Sequence, residues 1–337
     1  MDENNEVLDT ISVVIPVFNE KDYIERFIKS VLQQEYDFEK VELIFIDGNS
    51  TDNTVDLIKK NLSNVDINYK ILINPEKTIP KSLNIGIKNS HNSIIIRLDA
   101  HSEYSKNYFE RCVYYINNID ADNVGCNIET QSDEKIVGKA ISEVLSSPFG
   151  VGNSKFRTNS KSGYVDTVPF GTFKQSLFEK IGYFDERLDR NEDSEFNNRI
   201  IKNGGKIYLF DDTKNIYHPR NTIKKLIKMA LSNGKWNIYT SYLIPGSMKL
   251  RHFIPFIFVI SIIFGLIATV FNIFMFKELF IIEMLIYIFM DLLFSIKSMK
   301  KVGIMQGILC IMIYPLFHIF YGIGSILGIG KIIKSKK

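Results

Sequence analysis

The chain has 337 residues, enough for one large domain or two modest ones, and its formal charge of +3 gives no sign of a nucleic-acid partner. Cys112, Cys126 and Cys310 lack CxxC spacing, which excludes a thiolate zinc site or a disulfide framework and points to a reducing compartment. The near-zero mean hydropathy averages two unlike parts, an acid-rich first 220 residues and a strongly apolar stretch from Phe253 onward.

The N-terminus, with Asp2, Glu3, Glu6 and Asp9, is not a signal peptide, so the first 220 residues are expected to stay in the cytosol. Ile11–Val17 reads as a buried parallel strand, and Pro16, which cannot donate to a ladder, is expected to end its pairing. Phe18, Asn19 and Glu20 form a loop before a helix from about Lys21 to Gln34. Val41–Asp47 is a second strand, Gly48 to Asp52 is turn chemistry, and a helix follows from about Asn53. Asn68–Ile73 is a third strand. A helix near Pro80 to Asn89 leads to Ser93–Leu98, where a β-branched run stops abruptly at Asp99, Ala100 and His101.

Strands alternating with helices imply a parallel sheet covered on both faces. Right-handed crossovers put the carboxyl ends of its strands on one rim, so Pro16 to Glu20, Asp47 and Asp99 to His101 are expected together. Asp99 and His101 both suit a hard or borderline divalent cation; the competing reading is that Asp99 caps the next helix and Asp47 forms its own turn. No G-x-G-x-x-G follows the first strand and no G-x-x-x-x-G-K-[ST] occurs, which disfavours a dinucleotide fold and excludes a P-loop. A nucleotide on this rim would need a metal to meet its diphosphate charge.

Lys106 to Ile119 reads as a helix, Val124 to Glu129 as a strand and Glu134 to Leu145 as a helix. Residues 146–165, rich in Gly, Ser and Asn, form a long loop, either a lid or a surface segment. A further helix runs to Lys202 from Asp189, with several acids in the first turn, where the helix end favours carboxylates; by themselves they read as caps.

Val14–Glu20, Ile46–Asp52 and Asp99-Ala100-His101 together resemble the three N-terminal motifs of family 2 glycosyltransferases. The Asp-Ala-His version is similar to that of the succinoglycan-type β-glucosyltransferases of bacterial exopolysaccharide biosynthesis. The resemblance continues in order through Phe170–Phe173, Gly182–Glu186 and Asn191-Glu192-Asp193. It implies a GT-A-type, Rossmann-like α/β fold: a mostly parallel sheet with helices on both faces in a cytosolic catalytic domain over residues 1–215, followed by a C-terminal membrane helical region. It implies Asp193 as the catalytic base and Asp99 and His101 as ligands of Mg2+ or Mn2+, although most members have Asp where His101 stands. Donor contacts are implied at Pro16, Val17, Asn19, Glu20, Asp47, Asn84, Asp99 and Gly171, and the 146–165 loop becomes a lid. The chemistry implied is a single displacement. The base takes the proton of a sugar hydroxyl as it attacks, and an α-linked donor gives a β-glycoside.

Arg220 to Ala230 is a basic amphipathic helix, with Ile223, Leu226, Ile227 and Ala230 on one face and Lys224, Lys225 and Lys228 elsewhere, suited to a membrane interface. Related membrane synthases carry a basic residue beside a Trp near this place, which adds Lys235 and Trp236 to the implied contacts; otherwise Trp236 is an interfacial anchor. Residues 216–250 are then an interfacial helix and linker, and 251–337 a membrane region with apolar segments 253–276, 279–296 and 302–330. Glu283 and Asp291 interrupt the second segment; Gly322, Gly324, Gly328 and Gly330 would let the third pack closely. Lys297, Lys300 and Lys301 fit the positive-inside rule after two spans, whereas a third would export Lys331, Lys334, Lys336 and Lys337. An even number of crossings is expected, with re-entry at Pro315 or one segment lying flat.

The sequence thus points to a metal-dependent, inverting transferase in the cell membrane, acting from a nucleotide sugar, a UDP-sugar first, on a lipid-linked or growing glycan. The rivals are a polyprenyl-phosphate glycosyltransferase and a non-catalytic nucleotide-sugar-binding scaffold.

Overall fold

The computed structural model describes residues 9–132, 135–152, 154–219 and 222–335. Asp2, Glu3, Glu6, Glu134, Arg220, Lys336 and Lys337, which figure in the expectations above, lie outside the described residues. The chain divides into two compact units: Met1–Glu129 with Asn159–Tyr217, and Thr130–Thr158 with His218–Lys337.

In the first unit the chain runs through β1 (Ile11–Val17), α1 (Ile24–Leu32), β2 (Val41–Asp47), α2 (Thr54–Leu62), β3 (Asn68–Ile73), α3 (Ile79–Lys88), β4 (Ile94–Arg97), β5 (Ser102–Glu103), α4 (Tyr108–Asn118) and β6 (Asn123–Thr130). Two helices, α5 (Ile136–Ser146) and α6 (Pro148–Val151), belong to the second unit. The first unit then resumes with β7 (Gly163–Val165), β8 (Thr172–Lys174), α7 (Gln175–Ile181), α8 (Glu192–Lys202) and β9 (Ile207–Tyr217).

These strands make one mixed sheet in the order β3-β2-β1-β4-β8-β6-β9-β5, with β7 on β9. Its first half is parallel, as the alternation of strands and helices predicts: Ile11 pairs with Val41, Glu42 with Asn68 and Ile11 with Ile94. Its second half is antiparallel, beginning where Ile96 pairs with Thr172. Every residue of β2 and β4 is buried, as in parallel strands covered on both faces. Helix α3 packs on β1 and β2, and α4 on β4, β8 and β9.

Pro16 does not end the pairing of β1. The register with β2 continues to Val17 opposite Asp47, and the Gly48 N–H donates to the Val17 carbonyl at 2.8 Å. Alternate residues of a parallel strand address alternate neighbours, so Pro16 faces the β4 side, where the ladder closes with Leu98 N–H on the Val14 carbonyl at 3.0 Å.

The second unit contains α5 and α6, then α9 (Ile223–Leu243), α10 (Ile254–Val270), α11 (Phe274–Val302) and α12 (Ile304–Ser335). The opening of the expected 146–165 loop is no free lid. The Phe149 ring stacks on Phe294 at 5.3 Å and meets Tyr314 and His318 at 5.0 Å each, and the His318 Nε2 lies 2.9 Å from the Phe149 carbonyl. The last helix does not turn at Pro315: α12 passes through it unbroken, with Cys310, Ile313, Tyr314 and Phe317 buried around the position. Gly324 and Gly328 do allow close packing, since a Cβ there would strike the Leu231 and Lys235 carbonyls of α9. Gly322 meets Pro255 and Val259 of α10, and Gly330 has nothing within 4 Å.

Candidate active site

The carboxyl ends of β2, β1 and β4 lie side by side, and the loops that leave them touch. Asn19, at a φ of 55°, accepts from Thr51 N–H at 2.8 Å through Oδ1, and its own N–H donates to Ser50 Oγ at 2.9 Å. Asn is one of the few side chains that tolerate this left-handed conformation. The Glu20 carbonyl accepts from Tyr23 and Ile24 N–H and starts α1, while its N–H donates to Thr54 Oγ1 at 2.8 Å. The rim around Pro16, Val17, Asn19 and Glu20 is therefore a braced backbone surface. Asp47 braces it from beneath: it is 5% exposed and takes the Ser50 hydroxyl at 2.6 Å and the Ser50 N–H at 3.1 Å. Its carboxylate thus closes the Asp47–Ser50 turn.

At the end of β4, Arg97 gathers acids from distant parts of the chain. It is buried, and its guanidinium donates to Asp99 at 3.3 Å, to Glu192 at 3.1 Å and to Asp193. Glu192 and Asp193 stand in the first turn of α8, after Asn191 at a φ of 69°. The Arg97 N–H is fixed in turn by the Gly171 carbonyl at 3.1 Å. Gly171 is packed so tightly that a Cβ would strike the Phe173 ring and Asn123, so its place here is structural.

One cation faces three carboxylates. Burial alone would pull the Arg97 pKa down, but Asp193, Asp99 and Glu192 outweigh it and hold the guanidinium charged. Burial pushes the Asp193 carboxyl well above the ordinary range; Arg97 opposes this, and the Glu192 and Asp99 charges add to it. The Asp193 side chain is still 36% exposed and Asp99 22%, against 5% for Arg97, so the two aspartates face outward from a buried guanidinium. His101, 35% exposed, has its Nδ1 3.9 Å from Glu20 Oε1 and its ring 5.4 Å from that of Tyr217. Asp99 is oriented from behind, its N–H donating to the Tyr104 hydroxyl at 2.8 Å.

The structure therefore brings Asp99, His101, Asp193 and the Pro16–Glu20 rim to one end of the sheet. Other expected residues have their own surroundings. Asn84 is 3% exposed and its amide is engaged within the first unit: it donates to the Phe184 carbonyl and Glu186 Oε1, and accepts from Phe184 N–H, each at 2.9 Å. It clamps α3 to the segment before α8. Lys235 and Trp236 lie on α9 in the second unit, where the Lys331 ammonium stands 3.6 Å from the centre of the buried indole. An open cavity of about 470 Å³ at the opposite, amino ends of the strands is lined by Asp9, Ser93, Lys174 and Glu179 and holds none of these groups. The residue that sequence reasoning missed is Arg97. Its signal was a charged side chain between the run Ile94-Ile95-Ile96 and Leu98, a place that demands a partner.

The sequence profile for glycosyl transferase family 2 matches residues 12–182, just over half of the chain. The chain is 28% identical over 234 residues to a dolichyl N-acetyl-alpha-D-glucosaminyl phosphate 3-beta-D-2,3-diacetamido-2,3-dideoxy-beta-D-glucuronosyltransferase of Methanococcus voltae, covering 67% of this chain and 72% of that one. It is 28% identical over 275 residues to succinoglycan biosynthesis protein ExoA of Rhizobium meliloti (strain 1021), covering 80% and 81%. Among solved structures, the mannosyltransferase PcManGT from Pyrobaculum calidifontis, in complex with GDP-Man and Mn2+, superposes with a TM-score of 0.61 at 14% identity over 93% of this chain and 89% of that one, a likeness of fold.

Proposed function

Because the chain belongs to glycosyl transferase family 2, we propose that it moves a sugar from a nucleotide sugar, a UDP-sugar first, to a lipid-linked or growing glycan at the cytoplasmic face of a cell membrane, with inversion at the anomeric carbon. The observation that carries this reading is the Arg97 bridge, which holds Asp193 and Asp99 at one rim.

Asp193 is the base. Its carboxylate takes the proton of the attacking hydroxyl, a role worth ~10²–10⁴-fold in rate. Its raised pKa suits that role, because a stronger base removes the proton more readily once it is ionised. Arg97 keeps the carboxylate aimed outward, and the braced backbone of Pro16 to Glu20 borders the donor.

Asp99 and His101 fit a divalent cation, Mg2+ or Mn2+. Among the described residues no three His, Cys, Asp or Glu side chains converge on one point. Two suffice where substrate phosphates and water complete the shell, as is usual for Mg2+. Asp99 gives one oxygen to Arg97, and its other takes no hydrogen bond from the described residues. When bound, such an ion would supply charge neutralisation for the departing diphosphate. The three acids around one guanidinium leave the rim negative, a poor place for a diphosphate without a cation.

The test is the purified full chain with a panel of nucleotide sugars, Mg2+ or Mn2+, and candidate acceptors. Acceptor-dependent release of nucleoside diphosphate is expected. Tight donor binding with no turnover on any acceptor would favour a scaffold, and a product carrying one sugar directly on a lipid phosphate would replace the glycan acceptor.

A further inference from the structure

By length and composition α11 and α12 are candidate membrane spans, and the 17-residue α10 is a shorter apolar helix. Their contacts pair them differently. α10 and α11 form a hairpin closing near Asn272: Phe258 stacks on Tyr287 at 4.4 Å, Ser261 Oγ donates to Glu283 at 2.6 Å, and Gly265 lies flat against the Phe280 ring. α12 meets this hairpin at its base. Gly307 abuts Met299, the His318 ring lies 5.9 Å from Tyr287, and Gly322 abuts Pro255 and Val259. Beyond that level the hairpin turns Phe264, Leu266, Val270, Phe274 and Leu279 to the outside.

Two further observations separate α12 from a lipid-facing helix. Of its most apolar stretch, 44% is buried inside the protein, against 11% for α11. It is also sheathed by α9: a Cβ at Gly234 would strike the Tyr321 carbonyl, and Gly324 and Gly328 press on Leu231 and Lys235. Lys224, Lys225 and Lys228 are exposed along α9, so a crossing α12 would carry ammonium groups toward hydrocarbon.

We propose that the α10–α11 hairpin is the surface that enters a lipid bilayer, crossing it out and back, and that α12 stays on the entry side, across the base of the hairpin. This rests on the membrane reading above. A 17-residue apolar helix is at the short end of what spans, and Phe253 and Phe271 extend its apolar run. The base carries Lys249 and Arg251 before α10 and Lys297, Lys300 and Lys301 at the end of α11, whereas the tip sets Lys277 beside Glu278. The positive-inside rule then puts the base, with Lys331 and Lys334, in the cytoplasm. The placement also accounts for Asp291. It lies on the basal half of α11 with Ser295 as partner, alongside the Ser298, Glu143 and Lys301 contacts, below the hydrocarbon.

The experiment is cysteine labelling of the full chain in intact cells with a membrane-impermeant maleimide, made readable by the burial of Cys112, Cys126 and Cys310. Asn272→Cys, with Glu278→Cys as a second tip position, is expected to label as fully in intact cells as in opened ones. Lys300→Cys and Lys334→Cys should label only after opening. Labelling of the tip positions and Lys300→Cys from the same side, labelling of Lys334→Cys from the side opposite Lys300→Cys, or release of the chain from membranes by alkaline carbonate overturns the proposal. Lys59→Cys in the first unit reports separately on the cytoplasmic orientation proposed for the enzyme: labelling there from outside sinks that orientation, while the relative sidedness of tip and base still decides the hairpin.

Discussion

Arg97 donates to Asp193 across 96 residues of sequence, and the same guanidinium holds Asp99 two residues away. One buried cation thus ties the proposed base to a proposed ligand of the donor's metal. Removing it as Arg97→Ala strands three carboxylates and is expected to cost about 3–5 kcal/mol of stability. Arg97→Lys keeps the charge without the fork that reaches three partners, so it should fold yet lose turnover more than donor affinity. Thermal unfolding and a separation of kcat from KM check the pair; an Arg97→Lys enzyme with wild-type kcat contradicts the bridge's role.

The pH dependence follows from the same cluster. A base works only when ionised, and burial raises the Asp193 carboxyl above its ordinary value. The rate should therefore fall on acidification through a pKa above the ~4 of a free aspartate. Arg97 is the group pulling that pKa down, so Arg97→Lys, with weaker contact, should move the acid limb further up. A limb near 4 in the wild type, read from kcat against pH, would remove Asp193 from the assignment.

Asp99→Ala should act on the donor. It is expected to weaken metal-dependent nucleotide binding at least about tenfold, the scale on which loss of a ligand or its support is felt. Calorimetry with nucleoside diphosphate, with and without Mn2+, separates this from a general defect: without the ion the two proteins should bind alike.

Helix packing in the second unit offers a contrast between two glycines of the same region. Gly234→Ala drives a methyl into the Tyr321 carbonyl and should cost roughly 1–3 kcal/mol by overpacking. Gly330→Ala meets open space and, inside α12, should be neutral or stabilising by up to about 1 kcal/mol. Melting temperatures in detergent decide between them, and equal effects would mean that α9 and α12 are not pressed together.

Much of the first unit was legible because short runs rich in β-branched and aromatic residues, set between turn signals, leave few choices. Ile11–Val17, Val41–Asp47 and Asn68–Ile73 read as strands to the residue. Of the antiparallel half, β6 was legible within a residue at each end, but β8 and β9 were not. β8 has three residues, too short for any period, and β9 hides behind the polar run Asp211-Asp212-Thr213-Lys214-Asn215. The site divides the same way. Asp99, His101 and Asp193 were marked by strand and helix ends together with family resemblance, but the Arg97 partners lie 95 and 96 residues away, beyond any local pattern. The same holds for Asn84, whose bond to the Phe184 backbone reaches 100 residues on. In the 146–165 stretch, Gly and Ser content suggested freedom, while the single Phe149 side chain anchors it among four aromatic rings.

The most direct test compares wild type with Asp193→Asn in one preparation, measuring acceptor-dependent turnover and donor affinity side by side. The amide keeps the shape of the carboxylate and removes its basicity, so turnover should drop by ~10²–10⁴-fold while donor affinity stays within about twofold. Wild-type turnover in the Asn variant, or loss of donor binding in step with loss of rate, would contradict the assignment of Asp193 as the group that takes the acceptor's proton.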